Sequence, residues 1–150
     1  MKKILSGIVF AVLCLSLTAC GGKTAEFSPA QDAAELREAE GAFTTALTQI
    51  DQATACALYG IDEATVTASA VYASPSSAEE LAIFTLDSDE AAQAAQTALG
   101  YRVEDRLEEL EDYMPEEMDK LKDAVIEKRG SSVLLVIASD YGPVSEFLEG

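Results

Sequence analysis

Cys20 ends the run Leu17-Thr18-Ala19-Cys20 and is followed at once by Gly21-Gly22. A thiolate is the nucleophile that can form a thioether, so a cysteine in this setting is a candidate for covalent modification. Two more thiols are present, Cys14 and Cys56. Cys14 lies within an apolar stretch. Cys56 stands in Ala53-Thr54-Ala55-Cys56-Ala57-Leu58, where it reads as a small buried hydrophobe. A catalytic thiol needs a base beside it, and the 150 residues contain no histidine. The same absence removes the base of a serine triad, and there is no Gly-x-Ser-x-Gly elbow. Paired carboxylates can cleave sugars, and 27 acidic residues supply many pairs. A small envelope hydrolase using carboxylates or Cys56 is therefore the alternative reading, while the expected one is no enzymatic activity.

Metal and cofactor chemistry is not expected either. Without histidine, and with Cys56 as the one thiol past Cys20, the ligand sets of zinc, copper and haem cannot be assembled. Calcium takes oxygen ligands, and Glu104 to Asp112 offers many, but on a regular helix and not in an Asp-x-Asp-x-Asp-Gly loop. Neither Gly-x-x-x-x-Gly-Lys-Ser/Thr nor Gly-x-Gly-x-x-Gly occurs, so no phosphate cradle is expected.

The setting of Cys20 is more informative. Lys2 and Lys3 form a basic start, Ile4 to Leu17 is almost wholly apolar, and small residues follow. That order is a secretory signal. The apolar run falls short of the roughly 20 residues that span a bilayer. Leu17-Thr18-Ala19-Cys20 resembles the lipobox of bacterial lipoproteins. The resemblance implies that Cys20 carries a diacylglycerol thioether with palmitate-type acyl chains, and that cleavage makes it the first mature residue. The expected organisation is a signal peptide over 1–19, a lipidated tether over 20–27 and one domain over 28–150. The expected location is the extracytoplasmic face of the cell membrane.

Charge agrees with that placement. Removing the leader takes away two lysines and leaves 8 basic residues against 27 acidic ones, a formal charge of −19. Such a surface repels nucleic acid and anionic headgroups, so nucleic acid is not a partner and the lipid on Cys20 is the sole membrane contact. With Cys56 alone in the domain, no intramolecular disulfide can form. Core packing must then hold the fold.

The elements that carry these residues follow from local pattern. Ser28-Pro29 opens a helix to about Glu40, with Ser28 as N-cap and Gln31 completing a capping box. A short helix is expected from Asp51 to Tyr59, closed by Gly60. Val66 to Ser74 and Leu81 to Leu86 read as a hairpin with a loop of about five or six residues, placing Ile83 and Phe84 on opposite faces. Asp87-Ser88-Asp89 caps the longest helix, from about Glu90 to Tyr113, whose stripe is Ala91, Ala95, Leu99, Val103, Leu107, Leu110 and Met114. Pro115 ends or kinks it, and a short helical turn follows to Leu121. Val125 to Lys128 and Val133 to Ala138 form a second hairpin about Arg129-Gly130-Ser131-Ser132. Val133 to Ile137 is apolar on both faces, so it belongs in the sheet centre. A helix around Pro143 to Leu148 ends the chain. The expected fold is α+β: a four-stranded, mainly antiparallel sheet from two hairpins (ββα-ββα), packed with helices and preceded by two N-terminal helices.

Leu58-Tyr59-Gly60-Ile61-Asp62, Tyr113-Met114-Pro115-Glu116-Glu117 and the strand Val133-Leu134-Leu135-Val136, together with the lipobox, resemble domain-of-unknown-function family 4358, small lipoproteins of Gram-positive bacteria. The resemblance implies a location and one small domain, and carries over no activity. Tyr59 and Tyr113 are the residues that could anchor a partner surface. Their other reading is structural, with the ring capping the core and the hydroxyl in water. A small binding or interaction module is thus expected, its partner an envelope protein or a wall ligand.

Overall fold

The computed structural model describes residues 24–150. The expected signal peptide, with Leu17, Thr18, Ala19 and Cys20, therefore lies outside the described residues. Helix α1 spans Pro29–Glu38. Ser28 is its N-cap by position, yet its hydroxyl caps nothing; the Ser28 N–H instead donates to Asp32 at 2.8 Å. The capping box expected through Gln31 is thus replaced by the shorter carboxylate one residue later, which also suits the positive end of the helix dipole. Strand β1 is Thr48–Ile50. Helix α2, Gln52–Tyr59, has Asp51 accepting from the Thr54 N–H at 3.0 Å, and ends at Gly60 with φ of 69°. A left-handed residue there favours glycine.

After a 3-10 turn at Glu63–Thr65, strands β2 (Val66–Ala73) and β3 (Glu80–Leu86) form the first hairpin. Helix α3 runs over Asp89–Leu110, capped by the Ser88 hydroxyl. It stops three residues short of Tyr113. A 3-10 turn at Pro115–Glu117 leads into α4, Met118–Lys122. Strands β4 (Val125–Arg129) and β5 (Ser132–Ile137) form the second hairpin, and α5 covers Gly142–Glu149.

The fold is α+β, with one antiparallel sheet in the order β1-β2-β3-β5-β4. The sheet has five strands, not four. The additional strand, β1, falls between α1 and α2, so the expected pair of N-terminal helices ahead of the sheet is also corrected. Thr48-Gln49-Ile50 is short, polar and mostly exposed, so it shows no alternation for a pattern to detect. It pairs through backbone hydrogen bonds at the sheet edge, opposite Val71 to Ala73.

Both faces of the sheet are covered. Leu81, Ile83, Leu134 and Val136 pack with Leu36 of α1 and with Val144 and Phe147 of α5. Ala82, Phe84, Val133, Leu135 and Ile137 pack with Cys56 and Tyr59 of α2, Ala95 and Leu99 of α3, and Leu121 of α4. Strand alternation sorts these two sets, and β5 is buried along its whole length. The helices that follow the two hairpins, α3 and α5, thus lie on opposite faces, so the ββα echo in sequence is not a repeat in space.

Phe84 sits at the middle of this packing, edge-on to Tyr59 with ring centroids 5.7 Å apart. Replacing a buried phenylalanine by alanine costs about 3–5 kcal/mol. Phe84→Ala is therefore expected to lower the urea midpoint by an amount of that size. Exposed Leu58→Ala should change stability by no more than about 0.5 kcal/mol. Equal effects of the two substitutions would contradict this assignment of the core.

Candidate functional site

The β2–β3 turn ends in Ser77-Ala78-Glu79-Glu80 and enters a strand that is buried on both sides. Successive side chains of a strand point to opposite faces, so neither carboxylate can turn to water. Glu79 is 1% exposed and Glu80 is 2% exposed. An unpaired charge in such a place is costly unless it is hydrogen-bonded and paired. The surrounding elements supply the partners.

Glu79 accepts from the backbone N–H groups of Thr44 and Thr45 at 3.1 and 2.9 Å, and from their hydroxyls at 2.6 and 2.5 Å. The Ser139 hydroxyl at the end of β5 also donates to it, and the Lys120 ammonium lies 3.3 Å away. Lys120 also bonds Glu117 at 3.0 Å, and Glu117 accepts the Ala78 N–H at 2.9 Å. The Tyr141 hydroxyl receives the Ala138 N–H at 3.1 Å and donates to the Lys120 carbonyl at 2.7 Å. The turn, the 44–45 segment, α4 and the β5–α5 junction thus meet at one carboxylate. On the other face, Glu80 takes the Tyr59 hydroxyl at 2.6 Å and the Arg102 guanidinium at 3.0 and 3.4 Å. Arg102 also lies 5.5 Å from the Tyr59 ring centre.

These environments hold each group in one protonation state. Burial opposes the charge on Glu79, but the Ser139, Thr44 and Thr45 donors outweigh it and keep the carboxyl ionised far below the usual range. Burial, and then the Glu80 charge, raise the Tyr59 phenol well above its ordinary value. Burial pushes the Tyr141 phenol up to about 12. The Cys56 thiol is raised by burial first and by Glu63 and Asp62 after it. A general base works best with its pKa near the operating pH, and a nucleophilic thiol needs its pKa lowered. Glu79 and Cys56 are both displaced the wrong way for such work. The chemistry of the cluster is that of a clamp. Among the described residues, no three His, Cys, Asp or Glu side chains converge to hold a metal ion.

The two tyrosines singled out from sequence part company. Tyr59 is 4% exposed, with its hydroxyl on Glu80 and not in water, so it offers no surface to a partner. Tyr113 is 83% exposed, in the segment that follows α3. The cluster of three buried acids, Glu79, Glu80 and Glu117, with the half-buried cations Arg102 and Lys120 escaped the sequence reading. A signal for it exists in Glu79-Glu80 standing directly before the apolar Leu81 to Leu86. Acids that open a strand covered on both faces must be paired inside the protein.

A family model described as a domain of unknown function (DUF4358) matches residues 39–138. That span holds all five strands of the sheet, helices α2 to α4 and every member of this acid–cation cluster. No curated protein and no solved structure matches the chain.

The depressed Glu79 value fixes the sign of one pH effect. The unfolded chain takes up the proton first as pH falls, so the stabilisation is complete above about pH 5 and decays through the carboxylate range below it. Wild-type protein should lose urea stability steadily from about pH 5 downward. Removing one partner of a buried ion pair costs about 3–5 kcal/mol, so Glu79→Gln should be destabilised by about 3 kcal/mol at neutral pH. Its stability should then depend less on pH below about pH 5. Parallel pH profiles for the two proteins would refute the clamp.

Proposed function

The chain belongs to the DUF4358 family of domains of unknown function, and for this member we propose a membrane-anchored, extracytoplasmic lipoprotein whose domain is a small binding or interaction module. The carrying observation is Leu17-Thr18-Ala19-Cys20 at the end of a basic and then apolar leader. The family match begins downstream of it, at residue 39. Among the described residues, no helix is long and apolar enough to cross a membrane, and the attachment proposed here is the lipid on Cys20. A diacylglycerol provides two chains, the number that stable anchoring takes.

The binding role rests on the state of the polar groups. The Glu79 carboxylate is filled by its own protein donors, and Cys56 is a buried thiol. Neither is presented to a substrate. Tyr113, beside Met114-Pro115, is the most exposed of the large hydrophobic side chains described, and tyrosine is among the residues that anchor protein interfaces. It is the contact offered to an envelope protein or wall ligand.

Cys20→Ser tests the anchor. The substituted protein should appear in the medium, while the wild type stays in the membrane fraction, and both should unfold at the same urea concentration. Undiminished membrane retention of Cys20→Ser would overturn the proposal.

A further inference from the structure

We propose that Glu26 and Phe27 clip the start of the domain to the β4–β5 turn, so that the lipid anchor holds the turn end of the sheet toward the bilayer and presents the Tyr113 end outward to its partner. This rests on the anchoring reading above. The Phe27 N–H donates to the Ser132 hydroxyl at 2.7 Å, and that hydroxyl donates to the Arg129 carbonyl at 2.8 Å. The Phe27 ring is buried, with the Arg129 guanidinium 4.5 Å from its centre. One residue earlier, the Glu26 carboxylate accepts the Ser131 N–H at 2.6 Å and the Ser131 hydroxyl at 2.9 Å. It lies so close over Gly130 that a Cβ there would clash with the carboxylate.

The topology then sets which end of the molecule is near the anchor. Strands β2 and β5 run away from the clipped turn, while β3 and β4 run toward it. Helix α3 begins at the clipped end, where Lys128 pairs with Asp89. At its 22 residues and 1.5 Å per residue, it is about 33 Å long. The segment beyond it is tied to the far end, where Glu117 holds the Ala78 N–H of the β2–β3 turn. Tyr113 and the Ser74 to Ser76 turn therefore stand at the opposite end from the clip.

Cys20 is six residues from Glu26, a reach of at most about 20 Å. That is shorter than α3. An inverted domain, resting on its β2–β3 turn, would leave the clip farther from the lipid than the chain can stretch. Lying flat is opposed by charge, because the net −17 of the chain becomes −19 once Lys2 and Lys3 are gone, and anionic headgroups repel it.

The lipidated full-length protein, in vesicles of phosphatidylcholine and phosphatidylglycerol bearing a headgroup quencher, tests this arrangement. Glu90→Cys and Asp112→Cys, at exposed positions near the two ends of α3, each receive a fluorophore after flotation with the vesicles. Fluorescence should be quenched at position 90 and remain bright at position 112. Equal quenching, or stronger quenching at 112, overturns the orientation. Failure to float overturns the anchor, and the orientation with it, before any label is read. Glu26→Ala combined with Phe27→Ala should abolish the difference between the two positions in protein that still unfolds cooperatively. If that variant does not fold, a long Gly-Ser insertion between Gly22 and Lys23 should abolish it with the clip intact. A difference that survives release or lengthening would mean that the clip does not orient the domain.

Discussion

Two adjacent carboxylates at the mouth of a strand with no exposed face impose the constraint on which the rest of this structure depends. Glu79 directly precedes and Glu80 begins β3, the central strand of the five, and each must be matched by its own set of donors. The match draws in the 44–45 segment, α4 and Ser139 for Glu79, and Tyr59 and Arg102 for Glu80. A buried ion pair adds little net stability over a well-packed apolar replacement, whereas a half-satisfied one is strongly unfavourable. The cluster therefore acts mainly by penalising other arrangements. Any packing in which α3 or α4 slid by a turn would separate Arg102 or Lys120 from its carboxylate.

The same constraint accounts for the strand that pattern did not show. Thr44 and Thr45 give four donors to Glu79, which pins the segment between α1 and α2 to the end of the sheet. From there the chain has only a few residues before Asp51 caps α2. Thr48 to Ile50 is carried along the free edge of β2 and pairs with it. Its strand conformation follows from its ends being held and not from its own side chains. A short polar edge is also a poor template for pairing with another chain.

The polar groups of the interior and the functional proposal are linked through charge state. Glu79 is ionised, Tyr59 and Cys56 protonated, each held away from the range in which proton transfer is useful. What faces outward is an acidic surface with Tyr113 at one end. In the proposed arrangement, the clip at Glu26 and Phe27 gives that end a direction relative to the anchor. Under that proposal, a domain with this surface, tied by its N-terminal side at the opposite pole, suits contact with something beyond the membrane.

Much of the fold was legible from local chemistry. Helix starts at Pro29 and after Ser88, the stop at Gly60, both hairpins and the central placement of Val133 to Ile137 are written in caps, turn residues and apolar runs that act within a few residues. The expected chemistry of Leu17 to Cys20 is equally local, because a processing signal is read as a linear motif. The cluster of Glu79, Glu80, Glu117, Arg102 and Lys120 and strand β1 were not legible. Glu79 and Lys120 are 41 residues apart, and Glu80 and Arg102 are 22 apart; no period or motif joins them. Nor did Tyr59 differ from Tyr113 in sequence, since both are aromatic residues at the end of a helix. Only the arrangement of layers decided that one ring would sit in the core against a carboxylate and the other in water. Local propensity is a property of neighbours along the chain. Pairing of buried charge is a property of neighbours in space, and that only the tertiary structure could decide.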